Sequence, residues 1–124
     1  MARTQVPLTT LTGNAFTVRP TGTTADPTNG HYIDTSRVPP EEIIVEFTQT
    51  DATARTATIV AGDNPPALES GQGTVAQSMA QNAVYYFAGS SGRFEQSDSG
   101  GQLHIDLAAS FAGTVRAYRV PRNV

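Results

Sequence analysis

Apolar and polar residues alternate along most of this chain with period two. In Glu41–Thr48, Ile43, Val45 and Phe47 fall on one side, and Glu42, Ile44, Glu46 and Thr48 on the other. Successive side chains of a strand point to opposite faces, so this split predicts a half-buried β-strand. Similar runs at Thr56–Ala61, Ala83–Phe87, Gly92–Asp98, Gln102–Leu107 and Thr114–Val120 predict further strands. Leu103, Ile105 and Leu107 are expected to face inward, with His104 and Asp106 outward. Val115 and Ala117 should face the core, and Arg116 and Tyr118 the other side.

The gaps are rich in Gly, Pro, Ser, Asn and Asp, the residues of turns. Asn29-Gly30 predicts a turn, and His31–Ile33 a short strand after it. Thr50–Thr53 predicts a turn that returns the chain from Glu41–Thr48 into Thr56–Ala61 as a hairpin. Gly62–Pro66 must be a loop, because two consecutive prolines cannot donate to a ladder. Thr74–Tyr86 could place Val75, Met79 and Ala83 on one face of a short helix. Gly71, Gly73 and Asn82 favour a strand instead, with a turn near Gln81-Asn82 and a second strand after it. The turn spacing predicts an all-β fold, an antiparallel β-sandwich (jelly-roll or Ig-like) of about seven to nine strands.

The chain before Gly30 breaks this rhythm. Val6–Leu11 is apolar but interrupted by Pro7, Phe16–Pro20 is a second short extended piece, and Thr21–Gly30 holds almost no large apolar side chain. Two readings fit. One is an edge strand followed by a loop; the other is an extended N-terminal arm, residues 1–24, ahead of a sandwich over 25–124. On the arm reading Val6, Leu8, Leu11 and Phe16 are anchors for a partner. Deleting residues 1–24 should then leave the sandwich folded.

Composition narrows the class. The chain has 124 residues, 38% hydrophobic and 15% charged, which suits one globular domain. A net charge of -3 argues against binding nucleic acid by charge. Without cysteine, disulfides and thiolate metal sites are excluded. Every basic residue is Arg, as a G+C-rich genome would give; the other reading is that Arg forks suit interface ion pairs and stacking better than Lys does. No secretory signal or membrane-spanning run is recognisable, so a soluble protein made in the cytoplasm is expected, with no membrane partner.

Candidate chemistry is thin. His31, Asp34 and Ser36 are near in sequence but lack a strained nucleophile turn. His104 and Asp106 share a strand face, but a metal site needs further ligands that the sequence does not supply. Glu42 and Glu46, on the face of Ile44, read as an exposed strand face rather than a carboxylate pair. The expectation is therefore a protein that is no enzyme, with no cofactor and no metal. Tyr85, Tyr86 and Phe87 are consecutive, so either Tyr86 or its two neighbours must face away from the core. Arg116, Tyr118, Arg119 and Arg122 combine residue types favoured at interfaces, and a solvated tail explains them equally well.

Four segments, Ala2–Leu8, Asp26–Ile33, Thr58–Leu68 and Gly92–Asp98, resemble small virion structural proteins of tailed bacteriophages, especially those of actinobacterial hosts. The resemblance implies a head decoration, or cement, protein. Such a protein sits on the outer capsid surface of the virion, binds the major capsid protein, and bridges capsomers as a homo-oligomer, typically a trimer. It implies no catalytic residues. Read this way, Val6, Leu8, Leu11, Phe16, Arg116, Tyr118 and Arg119 are the expected capsid-binding residues. The alternatives are a receptor- or glycan-binding β-sandwich using Tyr85, Tyr86 or Tyr118, and a tail or head–tail connector component.

Overall fold

The structure is a computed structural model that describes residues 2–39, 42–60, 74–88, 95–96 and 101–121. Its strands are β1 (Thr4–Gln5), β2 (Leu8–Thr10), β3 (Thr23–Thr24), β4 (His31–Asp34), β5 (Ile43–Gln49), β6 (Arg55–Ile59), β7 (Val75–Met79), β8 (Ala83–Ala88), β9 (Glu95–Gln96), β10 (Gln102–Leu107) and β11 (Gly113–Arg119). The first sheet runs β1-β4-β10-β6-β7, with β9 also on β10; the second runs β2-β11-β5-β8, with β3 also on β11. Both sheets are mixed, because β1 pairs parallel to β4 and β2 parallel to β11. All other pairings are antiparallel. The β-sandwich expected from the alternation is present, with more strands than expected because β1, β2 and β3 are too short to show a period. Among the described residues no helix is long and apolar enough to cross a membrane.

The core lies between the sheets. Ile33, Ala57, Ile59, Met79, Leu103, Ile105 and Leu107 come from the first sheet, and Ile43, Val45, Phe47, Val115 and Ala117 from the second. The inward faces of β5, β10 and β11 are the ones the alternation assigns. Thr74–Tyr86 forms β7, a turn at Gln81–Asn82 and β8, with Asn82 at φ 61°, and no helix. Tyr85 and Phe87 pack against the core, which turns Tyr86 outward. The expected Gly62–Pro66 loop lies outside the described residues, as does most of the Gly92–Asp98 strand.

The expected hairpin across Thr50–Thr53 is not one. β5 pairs with β11 and β8, while β6 pairs with β10 and β7. The chain crosses from one sheet to the other there, crosses again between β7 and β8, returns between β8 and β9, and crosses once more between β10 and β11. A two-residue hairpin needs residues that accept positive φ, and Thr50-Asp51-Ala52-Thr53-Ala54 has no Gly or Asn to supply them. The crossing is held by the Gln49 side chain, which is fully buried. Its Nε2 donates to the carbonyls of Met79 (3.0 Å), Asp51 (3.2 Å) and Thr53 (3.2 Å), and its Oε1 accepts from the Asp51 N–H. Its carbonyl accepts from Asn82 N–H at 2.7 Å, so one residue serves two crossings. At Gly113 (φ +125°) a Cβ would lie 1.9 Å from the Thr48 carbonyl oxygen, so only glycine lets β11 enter beside β5 here.

The N-terminal segment is extended, but its first part is sewn into the sandwich. β1 adds to the first sheet and β2 to the second. Val6, between them, donates its N–H to Tyr32 O at 2.9 Å and is 1% exposed in the core. Val6 is therefore corrected from partner anchor to core residue, and Leu8 is half-buried against the same core. The reason is that Pro7 blocks neither neighbour's pairing: it marks the step from one sheet to the other. Deleting residues 1–24 would thus remove core, contrary to the sequence expectation.

Two outcomes follow for stability. Val6→Ala should cost about 2 kcal/mol by urea denaturation, against less than about 0.5 kcal/mol for Phe16→Ala. Gln49→Leu should cost about 3 kcal/mol, since it strands three carbonyls without a donor. A Gln49→Leu midpoint equal to wild type would show that water replaces the amide.

Candidate functional site

The two outer faces differ in chemistry. On the first sheet the outward side chains are mostly small or polar, including Thr56, Thr58, Ser78, Gln102, His104 and Asp106, with the half-buried Tyr32 beside His104 as the large one. On the second, β5 presents Ile44, Glu46 and Thr48, β8 presents Val84, Tyr86 and Ala88, and β11 presents Thr114, Arg116 and Tyr118. Cross-strand register sets Arg116 and Tyr86 on either side of Glu46, and Tyr118 beside Ile44.

Glu46 organises this face. It points away from the core, as the alternation requires, but it is 3% exposed, not on an open face as expected. Tyr118 donates its hydroxyl to Glu46 Oε1 at 3.0 Å. Arg19 grips Oε2 through Nε at 3.1 Å and through a closer Nη2 contact, and Arg116 Nη1 approaches Oε2 at 3.4 Å. Burial alone would push the Glu46 carboxyl up; hydrogen bonds from Arg19 and Tyr118, with the charges of Arg19 and Arg116, outweigh it and hold the group below its ordinary value. Burial, then the hydrogen bond to Glu46, raises the Tyr118 hydroxyl.

The same cluster straps the chain before β3 onto the sheet. Arg116 donates from Nε to Pro20 O (2.7 Å) and from Nη2 to Thr21 O (2.8 Å). Thr17 and Arg19 turn toward the sheet and line a groove of about 490 Å³ with Leu11, Ile44, Tyr86 and Tyr118. Phe16 and Val18 alternate with them and point away, 108% and 88% exposed. Tyr86 beside them is 66% exposed.

The sequence-derived partner residues therefore part company. Phe16 is displayed, Leu11 lines the groove, Leu8 is half-buried, and Val6 is core. Arg116 and Tyr118 reach this face, but their polar groups are spent on Glu46 and the strap; Arg119 Nε donates to Glu42 Oε1 at 3.0 Å. Arg116 and Tyr118 shape the surface from beneath rather than offering free hydrogen bonds, and Arg119 lies on the other side of β11, the side of Val115 and Ala117. Arg122 lies outside the described residues. Arg19, Val18 and Glu46 were missed as site residues, although the Phe16-Thr17-Val18-Arg19 alternation carried the signal. Of the three tyrosines suggested as glycan platforms, Tyr85 faces inward and only Tyr86 offers an open ring.

The other chemical candidates do not converge. Asp34 is exposed and accepts the Ser36 N–H at 2.9 Å, while His31 is fully buried. His104 Nε2 meets Gln102 Oε1 at 2.9 Å, and Asp106 pairs with Arg3 at 2.7 Å. Among the described residues no three His, Asp or Glu side chains gather as a metal site. Comparison with known protein families, curated proteins and solved structures finds no match to this chain.

His31 gives the fold a pH signature. Its Nε2 accepts the Asp26 N–H at 3.0 Å, so the ring is neutral and Nδ1 donates to Thr4 O at 3.2 Å. Burial, helped by the charge of Arg3, pushes its pKa down, against the Thr4 carbonyl and Asp26, which push it up. The unfolded chain takes up a proton near the ordinary value of 6.5, where the folded chain refuses it. Stability should fall as pH drops below that value, by at most about 1.4 kcal/mol per pH unit. The depressed carboxylates Asp26 and Glu46 act lower, below their ordinary 3.8 and 4.5. Urea midpoints between pH 7.5 and 5 should fall in wild type and His104→Gln, and stay flat in His31→Gln. An equal slope in all three would place the proton uptake elsewhere.

Proposed function

We propose that this chain is a virion structural protein that decorates the outside of a phage capsid, bridges capsomers of the major capsid protein and so stabilises the assembled shell. The resemblance to cement proteins motivates this reading. The observation that carries it is the display of Phe16 and Val18. Two large apolar side chains stand in solvent on a segment fastened to a rigid sandwich by Arg19, Arg116 and Glu46. An apolar pair held out by ion pairs to a buried carboxylate is organised for contact with another surface.

The mechanism needs no reaction. A protein that binds the assembled shell and not free capsid subunits shifts the equilibrium toward the shell by mass action. Several copies, as a trimer or other homo-oligomer, multiply weak contacts through effective concentration. Phe16 and Val18 enter apolar recesses between capsomers, Tyr86 extends the contact, and the groove rim supplies Thr17 and Arg19.

The test is co-sedimentation with assembled shells. Wild type should pellet with shells and not with free capsid subunits. Phe16→Ser with Val18→Ser should lose at least about tenfold in affinity, since two buried apolar side chains are given up. Both residues are exposed, so the thermal midpoint should stay put. Undiminished shell binding by the double variant would sink the strap's role. A wild-type protein that ignores shells, or that occupies a single vertex, would sink the decoration role itself.

A further inference from the structure

We infer that two copies of this chain pair edge to edge through β8, antiparallel and centred on Tyr86. The backbone direction along β8 is fixed by its neighbours. In an antiparallel ladder a residue's N–H and C=O point to the same side. Thr50 N–H donates to Ala112 O at 2.9 Å and Val120 N–H to Glu42 O at 2.8 Å, so the even-numbered positions of β5 turn their backbone to β11. The odd-numbered Val45 and Phe47 therefore turn to β8, where they stand opposite Phe87 and Tyr85. Val84, Tyr86 and Ala88 are left with their N–H and C=O groups pointing outward along the edge. Among the described residues no strand pairs with them there.

Stable monomers guard such edges with Lys, Pro, inward charges or bulges. Ala83-Val84-Tyr85-Tyr86-Phe87-Ala88 carries none of these. The three residues with outward backbone are also those with exposed side chains: Val84 is 47% and Tyr86 66% exposed, and Ala88 is exposed.

A row of outward donors and acceptors asks for an extended strand, and β8 of a second copy meets it with nothing left over. With Tyr86 opposite Tyr86, Val84 stands opposite Ala88 in both directions. Every outward N–H and C=O of the three residues then has a partner. A one-residue slip would set each outward N–H and C=O opposite a residue whose own groups turn back to β5, and a two-residue slip would strand an outward residue. Because the same strand meets itself, the contact is an isologous two-fold that closes. Side chains agree: the Tyr86 rings meet across the axis, and Val84 lies over the small Ala88. The exposed parts of Phe16, Val18, Val84 and Tyr86 amount to roughly 500 Å² in one copy, less than the roughly 800 Å² per partner of a standard interface. The pairing joins two such patches on one continuous sheet without covering them, and association in the micromolar range is expected for a contact confined to one strand edge. The inference does not rest on the proposed capsid role.

The test uses the full chain, which contains no cysteine. Residues facing each other in a hydrogen-bonded pair have Cα atoms about 5.5 Å apart, within reach of a disulfide. Tyr86→Cys should therefore oxidise to a covalent dimer at least about tenfold faster than Val84→Cys, whose two copies lie far apart across the axis. Tyr86→Lys should weaken association about tenfold in sedimentation equilibrium, by setting like charges face to face. Amide exchange at Val84, Tyr86 and Ala88 should slow as concentration rises. A monomer throughout, with the two cysteine variants oxidising alike, overturns the inference. So does slow exchange in dilute monomer, which would mean the chain covers its own edge. Slow exchange only when shells are added would assign the edge to a capsid strand and overturn it too.

Discussion

A buried primary amide sets the connectivity of this sandwich. Neighbouring strands β5 and β6 belong to opposite sheets, so the chain must cross the core's end within a few residues. A crossing of that kind turns backbone carbonyls toward the interior, where an unpaired one costs more than a made bond gains. Gln49 has two amide protons and one carbonyl, and it spends all of them on Asp51, Thr53 and Met79. With that end closed, β5 is free to lie at the centre of the second sheet between β11 and β8. Everything displayed on the outer face of that sheet depends on this placement.

The second polar commitment lies on the opposite face of the same strand. Three residues before Gln49, Glu46 sits beneath the strap with two guanidinium groups and a phenol around it. Ion pairs of this kind contribute little net stability, because desolvation offsets the attraction. Their effect is directional: Arg116 cannot serve Glu46, Pro20 and Thr21 at once unless the strap lies across the sheet in one register. That register decides that Thr17 and Arg19 face the sheet while Phe16 and Val18 face solvent.

The alternation made the long strands legible, with their inward and outward faces, because period two is a local property of the chain. Pairing is not local. The run from Ile43 to Ile59 reads as a hairpin because sequence neighbours usually pair; only Gln49 marked it as a crossing, and a lone Gln near a strand end is an unremarkable sight. Val6 was misjudged for a related reason. A Pro-flanked apolar residue looks like an anchor for a partner, and nothing in the sequence says that the partner is the chain's own core. Glu46 was placed on the correct face but read as solvated, since the strap that covers it comes from residues far away in sequence. Arg116, Tyr118 and Arg119 were recognised as interface residue types, and the interface they build is largely internal.

These facts make the molecule two-sided. Threonine, glutamine and charged side chains on the first sheet's outer face favour water, while Ile44, Tyr86, Val84 and the strap's Phe16 and Val18 on the second gather apolar surface. A free domain has no use for that asymmetry, because its solubility would be better served by two polar faces. In an assembly the asymmetry has a direction: one face meets a partner and the other meets solvent. The apolar face and the unguarded β8 edge belong to the same sheet. The lateral pairing proposed above would enlarge that apolar face without covering it, so its area would grow with copy number.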